Sequence, residues 1–410
     1  MFVHQNQLAH LLRPAHYFDP DWYALELEHV LRPTWHLVGT KRELARHGDY
    51  ITFDLLGEPV LVRNFHGELA ALQNVCAHRF CTIRSEPRGH LERLTCQYHG
   101  WEYTKDGRTG RIPDAQSFRP WDRENACLKR FRVDTVGELV FVSLAAQGES
   151  LREYLGPVYQ TWAEGFDGHT YRYLGRWEND FEVNWKLPCE NSLESYHIPC
   201  VHPKTFVNYP PEADCQHLLD DRYTRFQTPV PRDLVRMQQN LLLRLIGAPI
   251  TNRYTHMHIH PNLMFSSLDV YRMAMIVYPL GPTRCRYRVI TYSIRGQRVN
   301  PLAWVASQIL RPIIWLVARQ IYREDAGLYP AIQQGVRAAT HRGVIGTREE
   351  RIYIFQRYIL DRCQSPGSSR QALPMLDSPP QPLPMPADAQ ATGEPLVTQS
   401  ASSGSLLQDG

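Results

Sequence analysis

The feature that most constrains this 410-residue chain is a ligand-rich stretch, residues 74–103, NVCAHRFCTIRSEPRGHLERLTCQYHGWEY. Cys76-x-His78 is followed, after seventeen residues, by Cys96-x-x-His99. A fold that uses these side chains together must bring two short loops face to face. Four such ligands suit a tetrahedral Cys2His2 zinc site. They also suit a [2Fe–2S] cluster in which two imidazoles replace two thiolates on one iron. Spacing weighs on the choice. Zinc fingers usually pair Cys with Cys and His with His along the chain. Here each loop offers one of each, so each could reach both irons of a two-iron cluster.

The flanks read as short strands: ITFDLL from Ile51, PVLVRN from Pro59, LAALQN from Leu69 and VGELVFVSL from Val136, with turn signals at Gly57-Glu58, His66-Gly67 and Asp106-Gly107. They outline a small all-β domain over residues 35–146. A larger domain, residues 1–34 and 147–363, mixes strands such as CRYRVITYSI (from Cys285) with helical stretches, the last expected over 301–343. The expected class is α+β, with an antiparallel sheet flanked by helices in the larger part. Residues 364–410, rich in Pro and Ser and without aromatics, read as a disordered tail.

Charge and cysteine usage exclude some functions. Lys and Arg number 45 against 42 Asp and Glu, with no basic block, so nucleic acid is not an expected partner. The nine cysteines are an odd count in a chain too long to need staples, so free or metal-bound thiols are expected. The N-terminus shows no signal-peptide pattern. The most hydrophobic stretch, residues 301–322, is broken by Ser307-Gln308 and Arg311-Pro312. It is too interrupted to span a bilayer and reads as a buried or partly surface-bound helix. A cytoplasmic location is expected.

A second ligand set lies downstream. Residues 184–206 hold His197 and His202, with Glu194 within about 60° of His197 on a helical wheel. Pro199 is expected to break the helix and let the chain turn His202 back toward His197. Two imidazoles and one carboxylate make the facial triad that binds Fe(II) and leaves positions open. Asp325 is the one acid in a helical stripe of Ile314, Ala318, Ile321, Leu328 and Ile332. A buried carboxylate needs a partner, and a metal ion would supply one. Glu324, on a more polar side, is the weaker candidate. His256, His258 and His260 share one face of an expected strand, lining the pocket or facing solvent. Neither a G-x-G-x-x-G nor a P-loop pattern occurs, so a nicotinamide-dependent reductase would be a separate protein.

CAHR…CQYHGW, with its flanks, resembles the Rieske motif of the non-haem iron oxygenases. NWK…EN..E.YH….H resembles the iron-binding segment of the same family, and residues 324–335 its third-ligand helix. The resemblance covers residues 14–362. It implies a [2Fe–2S] cluster on Cys76, His78, Cys96 and His99, and mononuclear Fe(II) on His197, His202 and Asp325. Asn191 becomes a residue near that iron. Glu194 takes the place of the acid that links a Rieske histidine of one subunit to an iron histidine of the next, which implies a homotrimer. A Glu there resembles the quaternary-ammonium subgroup (choline, carnitine and betaine oxygenases), where other members carry Asp. The implied activity is oxygenation of a small organic substrate with O2 and electrons from a separate NAD(P)H-dependent reductase, with or without a ferredoxin. N-demethylation or hydroxylation of a quaternary ammonium compound is the leading form. The alternatives are an aromatic or heterocyclic ring hydroxylase and, in another class, a zinc-stabilised binding protein. Phe80 departs from the family, which usually has a small residue after the Arg of the motif. Cys81 also departs; with Tyr98 at the matching position it cannot pair, and it is expected to be a free, buried thiol. His90 is expected at the surface and Trp101 in the core beside the cluster.

Overall fold

Two antiparallel sheets carry the structure, each built from the alternating runs in the sequence. The computed structural model describes residues 2–4, 6, 8–119, 126–203, 205, 210–231, 233–295 and 301–364. The tail expected over 364–410 lies, from 365 onward, outside the described residues.

The chain enters through Leu8–Ala9 (β1) and a helix, Pro20–Glu26 (α1), whose N-cap Asp19 accepts the amide of Asp21. Trp35–Thr40 (β2), Asp49–Leu55 (β3), Glu58–Phe65 (β4), Glu68–Gln73 (β5) and Arg88–His90 (β6) follow. A small ribbon, Leu94–Thr95 (β7) and Glu102–Tyr103 (β8), precedes Arg130–Val136 (β9) and Leu139–Ser143 (β10). The larger strands form a sheet in the order β2-β10-β9-β5-β4-β3-β6. Its tight hairpins have a local cause. Leu56-Gly57 and His66-Gly67 all take positive φ, the geometry that matches strand twist, and the carboxylate of Asp54 and the carbonyl oxygen of the Asn64 side chain accept the Gly57 and Gly67 amides.

Leu151–Leu155 (α2) and Tyr159–Gly165 (α3) lead to Tyr171–Phe181 (β11), then Lys186–Ser192 (α4) and Ile198–Val201 (α5). Gln216–Leu219 (β12), Tyr223–Pro229 (β13), Leu234–Leu245 (α6), Arg253–Ile259 (β14), Leu263–Leu268 (β15), Tyr271–Gly281 (β16) and Arg284–Ile294 (β17) follow. The sheet order is β11-β17-β16-β15-β14-β13-β12. Pro301–Ala326 (α7), Tyr329–Ala338 (α8), Val344–Ile345 (β18, paired with β1) and Glu350–Cys363 (α9) close the described chain. The α+β class with antiparallel sheets is as expected. The single helix expected over 301–343 is instead two. The chain breaks at Gly327-Leu328, so Leu328 and Ile332 leave the buried stripe and are partly exposed, while α8 buries Tyr329 and Gln333.

The two sheets share one core. Phe141 of the first sheet meets Trp162 of α3, which meets Phe265 of the second, at ring-centroid distances of 6.2 and 5.7 Å. A smaller separate core of Tyr50, Leu61, Leu72, Ile83, Leu94, Trp101 and Tyr103 surrounds Cys76 and Cys96. α4 is pinned from beneath by buried polar contacts. The Lys186 ammonium lies 2.6 Å from Glu26, which also accepts the indole N–H groups of Trp22 and Trp185. With every partner present, such a buried pair specifies one position for the helix.

Candidate metal centres

The first ligand loop links β5 to β6 and the second links β7 to β8. They are built alike. The Cys76 amide donates to the Cys81 carbonyl and the Phe80 amide to the Cys76 carbonyl. The Cys96 amide donates to the Trp101 carbonyl and the Gly100 amide to the Cys96 carbonyl. Phe80 and Gly100 occupy equivalent positions, with φ of 59° and 71°. Left-handed backbone is natural for glycine and costs a bulky residue about 1–2 kcal/mol. That is the physical reason for a small residue at position 80. The Phe80 side chain is 85% exposed, so packing does not offset the strain.

Cys76 and Cys96 are buried, His78 is half-buried and His99 is exposed. The two imidazole rings lie 4.6 Å apart, and His78 stacks parallel on Trp101 at 4.8 Å. Trp101 is thus both core and neighbour of the site. The Cys76 sulfur sits 3.0 Å from the Tyr103 hydroxyl, which also accepts the Ala77 amide. Burial pushes the Cys76 thiol up, and the Cys96 sulfur beside it adds to the effect. Burial also lowers His78, with His99 and Arg79 contributing, which favours the neutral, ligating imidazole. Among the described residues, the buried Nδ1 of His78 has no hydrogen-bond partner.

The donor set fits a two-iron cluster better than one zinc ion. Around a single tetrahedral zinc the donor atoms would stand roughly 3.3–3.8 Å apart. Among the described residues, the one group of three or more His, Cys, Asp or Glu whose ligand atoms all come within 4.8 Å is His197, His202 and Asp325. Buried thiols on the inside and imidazoles toward solvent match a cluster with an inner and an outer iron. Cys81 is half-buried rather than buried, its thiol donating to the Thr82 carbonyl at 3.3 Å. None of the nine cysteines forms a disulfide. His90 is exposed and bonded to Asp49 and Glu92.

The second centre lies between the α4–α5 turn and the end of α7. The helical wheel expected for Glu194 and His197 does not form. α4 ends at Ser192, and Glu194 lies in the turn that follows. Its carboxylate accepts the amides of Tyr196 and His197 and the His197 Nδ1. The contact is made by this cap instead of by helical spacing. Pro199 does not break a helix. It sits in the first turn of α5, where its missing N–H costs little, and His202 caps the other end.

The imidazoles then face the same carboxylate. Asp325 Oδ1 is 3.0 Å from His202 Nε2 and 3.5 Å from His197 Nε2. The Asp325 side chain is half-buried, 18% exposed, rather than fully buried as expected, and among the described residues this oxygen accepts no hydrogen bond of proper geometry. An orphaned carboxylate oxygen aimed between two imidazole nitrogens fits an ion held among the three. The outer nitrogens are held as well. Glu194 takes His197 Nδ1, and Glu324 Oε2 takes His202 Nδ1 at 2.7 Å. Glu324 is itself held by Thr205 and Gln320. Each of the two histidines thus carries a glutamate behind it, which fixes its tautomer and ring plane. Glu324, weighed only as a rival ligand, is a positioning residue, and Thr205 was missed. The adjacent pair Glu324-Asp325 was the available signal. Asn191 lies on α4, and its side chain makes no hydrogen bond to the three ligands among the described residues.

Behind the site, His256 and His258 lie on β14 and His260 follows it. All three are buried, so the solvent-facing reading is excluded. Arg351 Nη2 donates to His256 Nδ1 at 2.9 Å, which makes His256 the Nε2–H tautomer. Burial first, then Arg351, drives its pKa well down. Arg351 also reaches the Leu193 carbonyl, bracing the turn that carries Glu194. Tyr254, Tyr287 and Tyr329 lie close enough to Asp325 that its charge, after burial, helps raise their hydroxyls.

Two stretches of the chain match known protein families. Residues 34–132 match the Rieske [2Fe-2S] domain, and residues 168–365 match the ring hydroxylating alpha subunit (catalytic domain). The glycine betaine monooxygenase oxygenase subunit of Chromohalobacter salexigens is 30% identical over 241 residues, 58% of this chain and 52% of that protein. The chain therefore matches about half the length of that relative. The chloroplastic choline monooxygenase of Spinacia oleracea is 26% identical over 346 residues, 82% of this chain and 73% of its own length. The solved structure of the quaternary ammonium Rieske monooxygenase CntA superposes with a TM-score of 0.72 at 19% identity, over 86% of this chain and 95% of that one. At that identity the likeness speaks for the fold.

Proposed function

The chain belongs to the Rieske non-haem iron oxygenases, and from that premise we propose that it is the catalytic subunit of an oxygenase acting on a small organic substrate, a quaternary ammonium compound foremost. In this reading, residues 35–146 are the cluster domain and residues 1–34 with 147–363 the catalytic domain. Cys76, His78, Cys96 and His99 hold a [2Fe–2S] cluster, and His197, His202 and Asp325 hold Fe(II). The observation that carries it is the unbonded Asp325 Oδ1 lying between two imidazole nitrogens.

When bound, the cluster supplies electrons and the ferrous ion supplies a site for dioxygen. The chain's own residues do the positioning. Glu194 and Glu324 hold Nδ1 of the two histidines, so that both Nε2 atoms point inward. Glu194, 10% exposed, lies two residues before the exposed Tyr196, close under the surface where a neighbouring subunit's cluster would meet it in a homotrimer. Asn191 lies near enough in sequence to serve the iron pocket. Tyr254 and Tyr287, whose hydroxyls burial and then neighbouring groups including Asp325 raise, are the aromatic side chains in this reading that would make cation–π contacts with an ammonium group. A separate NAD(P)H-dependent reductase in the cytoplasm, directly or through a ferredoxin, delivers the electrons.

Anaerobic metal and sulfide analysis tests the centres: three irons and two acid-labile sulfides per chain are expected, with a Rieske EPR signal after dithionite. Zinc without sulfide would overturn the reading. Oxygen uptake coupled to a panel of ammonium and aromatic substrates tests the substrate class. Tight coupling to an aromatic alone would favour the ring-hydroxylase alternative.

A further inference from the structure

The iron chemistry leaves α7 half explained. At 100° per residue, Ala306, Leu310, Ile314 and Ala318 face the sheet and are buried. The rest of the helix surface is not all polar. Trp304, Val305, Ile309 and Leu316 fall on the outward half, with Ile313 and Val317 nearer the buried side, and all six are exposed, Trp304 at 65% and Leu316 at 67%. α6 packs against α7 and adds Leu234, Met237 and Leu241, spaced to one stripe and each more than half exposed. Isolated exposed apolar side chains are ordinary, but a contiguous face of this size on two adjoining helices is an interaction surface.

We propose that this face docks on an anionic lipid surface, with α6 and α7 lying in the headgroup plane. Charge decides among occupants. Residues 301–323 contain no acid. The charges on the outward side are Arg319 and Arg323 of α7 and Arg244 of α6. The nearest acids are engaged: Glu324 and Asp325 turn onto His202, and Asp233 caps α6 through the Arg236 amide. Arg319 sits over Trp315, and both line a surface depression with Leu316, Val317, Gln320 and Arg323. Apolar side chains under guanidinium groups, with a tryptophan at the far end, are the pattern of a helix at a membrane interface. No described helix is long and apolar enough to cross a bilayer, so the contact is with the surface. Because Asp325 lies in the last turn of α7, the docked face would lead along one helix to the iron site.

The test is co-sedimentation of the metal-loaded, full-length protein with vesicles of phosphatidylcholine alone or mixed with phosphatidylglycerol. Binding to the anionic vesicles is expected, weakening as salt is raised. The double variant Ile313→Glu/Leu316→Glu should lose about ten-fold or more of it. Arg319→Gln/Arg323→Gln should lose the preference for anionic lipid and its salt dependence. Val344→Glu, an exposed apolar position elsewhere, should bind as the unaltered protein does. Ile313, Leu316, Arg323 and Val344 are exposed and Arg319 is half-buried, and circular dichroism checks that the variants fold. Absence of vesicle binding, or equal binding by the Ile313→Glu/Leu316→Glu variant, overturns the proposal. A lower oligomer mass in that variant without any vesicle binding would assign the face to another copy of the chain.

Discussion

The two proposed ligand sets solve the same problem in opposite ways. The cluster loops gather four ligands within 24 residues, on two turns of like construction, around a small core of their own. The second set draws its third ligand from 123 residues beyond His202 and makes the geometry with helix ends, a carboxylate cap and two supporting glutamates. The first is local and written in spacing. The second depends on the whole larger fold.

That contrast makes predictions. Cys96→Ser should have the largest effect: loss of colour, sulfide and turnover, with the Fe(II) site retained at one iron per chain. Emptying of both sites would show that they are not independent. Asp325→Ala should do the reverse, leaving the Rieske EPR signal intact while mononuclear iron and turnover vanish. Glu194→Gln should keep both metals, since an amide oxygen can still accept from His197, and nearly abolish turnover. Loss of iron there would make Glu194 a ligand in its own right. Glu324→Ala should weaken Fe(II) affinity by about ten- to hundred-fold, with turnover recovering in excess ferrous iron. An iron titration that matches the unaltered protein would remove Glu324 from its role. Smallest is Phe80→Gly, expected to raise stability by about 1 kcal/mol or less, strain relief exceeding the added chain entropy. A fall in the thermal midpoint would mean that Phe80 is held by something other than its backbone.

Legibility followed the same divide. The strands of the first sheet, the ligand loops and His90 at the surface were readable because period-two runs and turn residues act over a few positions. The pairing of Phe80 with Gly100 was not, since equivalence between two loops is a property of their hydrogen bonds. The structure brings His197, His202 and Asp325 together as expected, but for reasons partly different from those given by the sequence. Helical spacing was expected to bring Glu194 to His197, and a carboxylate capping a turn does so. Pro199 begins a short helix where it was expected to end one. The stripe through Leu328 and Ile332 failed because a Gly–Leu break re-aims the chain. The partners of the three buried histidines could not be read, because Arg351 is 95 residues from His256 and meets it only across the fold.

The shared core that runs from Phe141 through Trp162 to Phe265 has a consequence for how the molecule comes apart. With no plane of weakness between the sheets, melting should be a single cooperative event. Damage to packing at this aromatic seam would then be felt as a lowered midpoint for both centres together, although neither one touches it.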